Sequence, residues 1–210
     1  MRNSFIALIF GLIVLEPSYS KAEFGLVGLV SVWHGQNNAR DSVGQNNGYL
    51  LGNTTYGNGR IRKAFEFNSV GDGVIAPTAG LPTGTANRTI DCWVFIDSYI
   101  DGAESFFAGY GNFGAVGESY HVGAYTDHRL YFSQWGDGIF GPVLNTGQWY
   151  HVAVTSIGTN NITLYLNGKI VAKGALSFNT PPDTTFYIGG VDAPYKYSAN
   201  HRIGGRSGSL

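Results

Sequence analysis

The chain reads as an all-β protein, a two-sheet antiparallel β-sandwich, and three observations lead there. Apolar residues alternate or run in short blocks instead of recurring at helical spacing, and Gly, Asn, Asp or Pro interrupts them about every 8–12 residues. Glycine supplies 31 of 210 residues and charged residues only 13%, a composition that suits many tight turns and few solvated helix faces. Apolar residues make up 43% and aromatics 14%, enough for a sizeable core. The sequence has no internal repeat, no low-complexity linker and no shift in composition, so one domain over residues 22–210 is the economical division.

The N-terminus has the layout of a secretory signal peptide over residues 1–20. Arg2 gives a positive start, residues 5–15 form an uncharged apolar run, Pro17 breaks it, and Ser18 and Ser20 place small side chains at −3 and −1 of a cleavage site. The run is short for a membrane span, so the mature chain is expected to be secreted, periplasmic or extracellular, and not membrane-spanning. The first strand is expected over 26–33. Residues 64–68 and 74–76 flank "SVGDG", which reads as a hairpin turn. A long strand follows over 88–96. Strands over 104–110 and 119–125 are joined by the glycine-rich "GYGNFGAVGE", and 129–135 comes next. Residues 149–157 and 161–166 form a hairpin through "GTNN". The clearest local signal is Asn167-Gly168 between two alternating runs, the dipeptide that best satisfies a type I′ turn; it leads into 169–175, and 186–188 comes near the end.

Charge and cysteine content narrow the function. Net charge is −1, with Lys and Arg scattered and no basic stripe, which argues against nucleic acid. Cys92 is the single cysteine, so there is no intrachain disulfide, and its strand-like setting reads as a small core residue. The stretch "WYHVAVT" raises the question of catalysis at His151. On a strand, Trp149, His151, Ala153 and Thr155 share one face, a grouping that suits sheet packing. Gly-x-Ser-x-Gly, His-Glu-x-x-His and Cys-x-x-Cys are all absent from the sequence, and His151 reads as a structural residue.

"LVSVWHGQNNARDSVGQNNGYLLG", "GRIRKAFEFNSVGDGVIAP", "RTIDCWVFI", "TGQWYHVAVTSIGTNNITLYLNGKIVAKG" and "FYIGG" occur in that order. The set resembles the laminin-G-like jelly rolls of the concanavalin A-like lectin/glucanase superfamily, which includes pentraxin-like modules. The Trp-x-His-Val-Ala strand with its Asn-Gly hairpin is the most specific block, and the likeness covers residues 24–205. It implies a sandwich closed by a C-terminal strand. Because the chain ends in the short, polar "RIGGRSGSL", that strand is expected to be short or missing. An unpaired edge would favour strand-mediated self-association.

The resemblance also brings glycoside hydrolysis into view. Retaining enzymes of this kind carry carboxylates on alternate residues of one strand, Glu-x-Asp-x-x-Glu, close enough to act as a pair. None of Glu23, Glu66, Glu104 or Glu118 has an Asp two positions later, and Asp91 and Asp97 would stand roughly 20 Å apart along a strand. The expectation is therefore a non-catalytic binding module for carbohydrate or glycoprotein, with a protein-binding adhesion or assembly module as the alternative. Sugar sites use aromatic faces beside a few polar groups. The candidates are Trp135, Tyr110, Tyr125, Tyr195 and Tyr197, with Phe113; Trp93 and Trp149 read as core. Calcium seeks several oxygens in glycine-rich loops. By the pentraxin-like resemblance the ligands would be Asp192, Asn112 and Glu118; Asp41, in "RDSVGQNNG", is a separate loop candidate.

Overall fold

The computed structural model describes residues 28–190 and 200–204. The signal-peptide residues 1–20 and the candidates Asp192, Tyr195 and Tyr197 lie outside the described residues.

Among the described residues there are strands and turns and no helix. In chain order the strands are β1 (Tyr49–Leu51), β2 (Thr55–Asn58), β3 (Lys63–Phe67), β4 (Gly73–Ala76), β5 (Arg88–Ser98), β6 (Ser105–Gly111) and β7 (Ser119–Ala124). They continue as β8 (Arg129–Ser133), β9 (Gly138–Val143), β10 (Trp149–Ser156), β11 (Ile162–Leu166), β12 (Lys169–Gly174), β13 (Thr185–Ile188) and β14 (Asn200–Gly204). They form two seven-stranded sheets. The first has the order β1-β4-β13-β6-β7-β8-β9 and the second β12-β11-β10-β5-β14-β3-β2. Every pairing is antiparallel.

The core lies between the sheets and follows the period-2 rule. Phe65, Phe67, Val94, Ile96, Val152, Val154, Ile162 and Leu164 enter it from the second sheet, and Phe107, Tyr110, Tyr120, Val122, Leu130 and Phe132 from the first. Arg88 is buried among them. It donates to Tyr110 Oη at 3.0 Å and to the carbonyls of Thr83, Gly84 and Ala86, and its guanidinium stands over the rings of Tyr110, Tyr120 and Phe178. Cys92 is buried as expected; burial, with the Asp91 charge beside it, holds its thiol well above the usual range.

Several expectations change. The "SVGDG" turn does not make a hairpin, because β3 and β4 belong to different sheets. The turn is an inter-sheet corner, fixed by the Asp72 carboxylate accepting from the main-chain N–H groups of Asn53, Asn68 and Ser69. The 26–33 strand reduces, over its described part, to a single bridge between Trp33 and Asp41. Residues around it form a loop organised by Asp41. The closing strand is short but present: β14 pairs with β3 on one side and β5 on the other. It is therefore internal to its sheet, and among the described residues the edge strands are β1, β9, β12 and β2. Trp93 and Trp149 are not core residues. β5 and β10 put Val94, Ile96, Tyr150, Val152 and Val154 inward, and Trp93, Phe95, Trp149 and His151 stand half-buried on the opposite, outer face. The Asn167-Gly168 turn has φ of 51° and 76°, as a type I′ turn requires.

Candidate functional site

His151 settles into that outer face. Its ring lies 5.3 Å from Trp93, its Nε2 is 3.3 Å from Asp91 Oδ1, and its main chain exchanges hydrogen bonds with Asn167. Neighbouring rings carry cations: Arg60 stands over Trp93 at 5.5 Å and Arg202 over Phe95 at 4.2 Å. Arg202 also makes a two-point contact with Asp97. The polar groups of this face bind one another.

The outer face of the first sheet is different. Strand alternation sends Tyr120, Val122 and Ala124 of β7 and Leu130 and Phe132 of β8 into the core, which leaves His121 and Gly123, Tyr131 and Ser133 facing out. A Cβ on Gly123 would come 2.3 Å from the Ser105 carbonyl oxygen and 2.9 Å from the Tyr131 ring, so glycine serves both the close approach of the Ser105 backbone and the ring that lies on the sheet. Glu104, His121, Tyr125, Tyr131, Ser133, Trp135, Asp137 and Phe140 surround a hollow of about 360 Å³, within the usual range for small-ligand sites. Its walls are aromatic. Tyr125 meets Phe140 edge-on at 5.2 Å and Tyr131 at 5.6 Å, and His121 meets Tyr131 at 5.6 Å. Phe113 folds back from the β6–β7 loop to stand edge-on to Trp135 at 6.2 Å.

Trp135 occupies a strained position. It has φ of +68°, a conformation that costs an L residue energy and that bulky side chains rarely adopt. The turn enforces it: Trp135 N–H donates to Ser133 Oγ at 3.0 Å, Ser133 Oγ donates to Asp137 O at 2.9 Å, and Gly138 N–H donates to Asp137 Oδ1 at 2.7 Å. The result is a half-buried indole at the rim of the hollow. Retained strain of this kind clusters at functional positions.

The polar groups in the hollow are few. Tyr131 Oη donates to Glu104 Oε2 at 2.6 Å. Burial raises the Glu104 carboxyl above its ordinary value, with the Tyr131 hydrogen bond opposing the shift. His121 is within 3.1 Å of Ser119 Oγ through Nδ1, and burial pushes its pKa down to about 3, so it is neutral at neutral pH. A larger cavity of about 680 Å³ lies between the sheets among core residues, bounded by Gly28 and Gly204, each next to residues outside the described set.

Of the candidates read from sequence, Trp135 and Tyr125 meet in the hollow. Tyr110 does not: it is 2% exposed, with its hydroxyl donating to Pro82 O at 2.6 Å, because its β6 position points into the core. Asp41 is also committed. Its Oδ1 accepts from the N–H groups of Val32, Val43 and Gly44, and its Oδ2 from that of Asn46. Burial pushes its pKa up, but hydrogen bonds from Val32, Gly44, Val43 and Ser31 outweigh it and leave the carboxyl below the ordinary value. The carboxylate is a loop staple, with its oxygens already occupied. Asn112 Nδ2 donates to Glu118 Oε2 at 2.7 Å in the β6–β7 loop. These two side chains alone do not make a calcium site, and among the described residues no cluster of three or more His, Cys, Asp or Glu side chains converges. Sequence reasoning did not single out Glu104, His121, Tyr131 or Phe140 for this site; the Tyr131-x-Ser133 alternation is a signal for Tyr131 alone.

Residues 68–200 match the Laminin_G_3 family, described as the concanavalin A-like lectin/glucanases superfamily. The chain belongs to this family. No curated sequence matches the chain. Among solved structures, domain 4 of AbnA, a GH43 extracellular arabinanase from Geobacillus stearothermophilus in complex with arabinotriose, is similar at 20% identity. That match covers 85% of this chain and 93% of the domain, with a TM-score of 0.59. The binding domain of Paraclostridial Mosquitocidal Protein 1 is similar at 15% identity and a TM-score of 0.65, over 84% of this chain and 47% of that one. Trypanosoma rangeli sialidase, in complex with a difluoro-KDN, is similar at 19% identity and a TM-score of 0.66, over 85% of this chain and 30% of the sialidase. At these identities the likeness is one of fold, and the chain spans under half the length of the last two. Among the described residues no helix is long and apolar enough to cross a membrane.

Proposed function

We propose that this protein is a secreted, non-catalytic binding module and that the hollow on the first sheet is its carbohydrate site. The observation that carries the reading is Trp135. An indole held at the rim in a costly backbone conformation, above walls of Tyr125, Tyr131 and Phe140 and beside a carboxyl and hydroxyls, offers the stacking surface and the directed polar groups that a sugar ring needs. A domain of the same fold from an extracellular arabinanase, solved with arabinotriose, supports the same kind of ligand. Catalysis by a carboxylate pair is disfavoured because none of Glu23, Glu66, Glu104 or Glu118 has an Asp two positions later.

A glycan array probed with and without Ca²⁺ tests the reading. The expected result is saturable glycan binding that survives a chelator and is lost in Trp135→Ala. Binding abolished by the chelator would move the site to the loop of Asn112 and Glu118, with Asp192 as the further ligand. No binding by the folded protein would replace this reading with the protein-binding alternative.

A further inference from the structure

The charges around the hollow are one-sided. Among the described residues its lining contains two carboxyl groups, Glu104 and Asp137, and no Lys or Arg. His121, the one side chain there that gains positive charge on titration, is held neutral by burial. Among the described residues Arg129 reaches the lining, its guanidinium 4.4 Å from the Phe140 ring centroid. It is already paired with Asp127 at 2.8 Å. The remaining titratable groups of the lining are the phenols of Tyr125 and Tyr131.

Acidic sugars carry a carboxylate at each sialyl or uronyl residue. Sites that accept such a group present a guanidinium or ammonium to it, most effectively in a bidentate fork. Here an incoming carboxylate would instead meet Glu104 and Asp137, and like charges facing each other across an interface disfavour binding strongly. Neutral sugars present hydroxyl donors, which carboxylate oxygens accept well. Glu104 is the more consequential of the two acids, because it is half-buried whereas Asp137 is exposed, and exposed charges are readily screened.

We propose that the hollow selects uncharged sugar residues and rejects sialic and uronic acids, with Glu104 setting that preference. The inference rests on the carbohydrate reading above.

The test uses matched ligands that differ only in charge: galactose-terminated oligosaccharides with and without a terminal sialic acid, and oligogalacturonides as methyl esters and as free acids. Binding is measured by titration of the protein at low and moderate salt. The expected result is that the neutral member of at least one pair binds and its acidic counterpart binds at least about tenfold more weakly, with the gap narrowing as salt rises. Glu104→Gln should shrink the gap by weakening the acidic member's binding less than the neutral member's; Asp137→Asn, at the exposed turn, should shrink it less and serves as the readout if the Glu104 variant does not fold. Acidic ligands bound as tightly as neutral ones would overturn the selectivity and leave the carbohydrate reading standing. A gap unchanged in both variants would overturn the assignment to these carboxylates. Absence of binding to either member of every pair would overturn both readings together.

Discussion

Trp135 allows its geometry to be tested apart from its chemistry. Replacing it with Ala or with Gly removes the same indole and the same edge contact to Phe113, so those losses cancel when the two variants are compared. What remains is the backbone. At φ of +68° alanine still pays about 1–2 kcal/mol for the left-handed conformation and glycine pays almost none. Against this, glycine has more unfolded-state freedom to lose, about 0.4–1 kcal/mol. The difference favours Trp135→Gly by about 0.8 kcal/mol at the midpoints and up to about 1.6 kcal/mol, the reverse of the usual order for these two residues. For a domain of this size each kcal/mol moves Tm by about 2–4 °C, so the inversion is measurable by thermal or urea unfolding. Both variants should lose glycan affinity by at least about tenfold, a 1.4 kcal/mol effect. An alanine variant as stable as the glycine variant would refute the strained-turn argument, and glycan affinity retained in both would refute the role of the indole.

Two further outcomes concern stability. Asp41→Asn replaces a carboxylate that takes four main-chain N–H groups with an amide that has one acceptor oxygen, and at neutral pH it should cost about 1–3 kcal/mol in urea unfolding. Folded Asp41 holds its proton less readily than the unfolded chain does. Its contribution is therefore complete above the unfolded value near about 3.9 and is lost as pH falls through the lower folded value, so the two proteins should converge in acid. At Arg88, Lys should be worse than Met in thermal melts: lysine keeps a buried charge but cannot spread donors over three carbonyls and a phenol, costing about 3 kcal/mol or more, whereas methionine removes the charge and fills the space among Tyr110, Tyr120 and Phe178.

What could be read from sequence was what local chemistry decides. Asn167-Gly168 specifies its turn within two residues, and the alternation of "WYHVAVT" put Trp149 and His151 on one face. Which face looks inward is a tertiary fact, and Trp93 and Trp149 were misplaced for that reason. The "SVGDG" turn failed similarly: Gly71 and Asp72 dictate a change of direction, but whether the strands then pair or part to opposite sheets depends on partners far along the chain. Trp135 could be singled out because turn residues flank it. His121 could not, since β7 is buried on both faces and its outward residues look like core; Glu104 precedes β6 and joins the site through its contact with Tyr131.

The position of β14 has a temporal consequence. Arg202 donates to Asp97, 105 residues earlier, and to the carbonyl of Asn58, 144 residues earlier, and its strand is the seam between β3 and β5. Without β14, β3 and β5 lack the strand that pairs with both. Domains whose pairing is this non-local fold slowly and expose unpaired edges while they wait. Closure of the second sheet therefore waits on β14, and a chain stopped before Asn200 lacks the strand that joins its two halves.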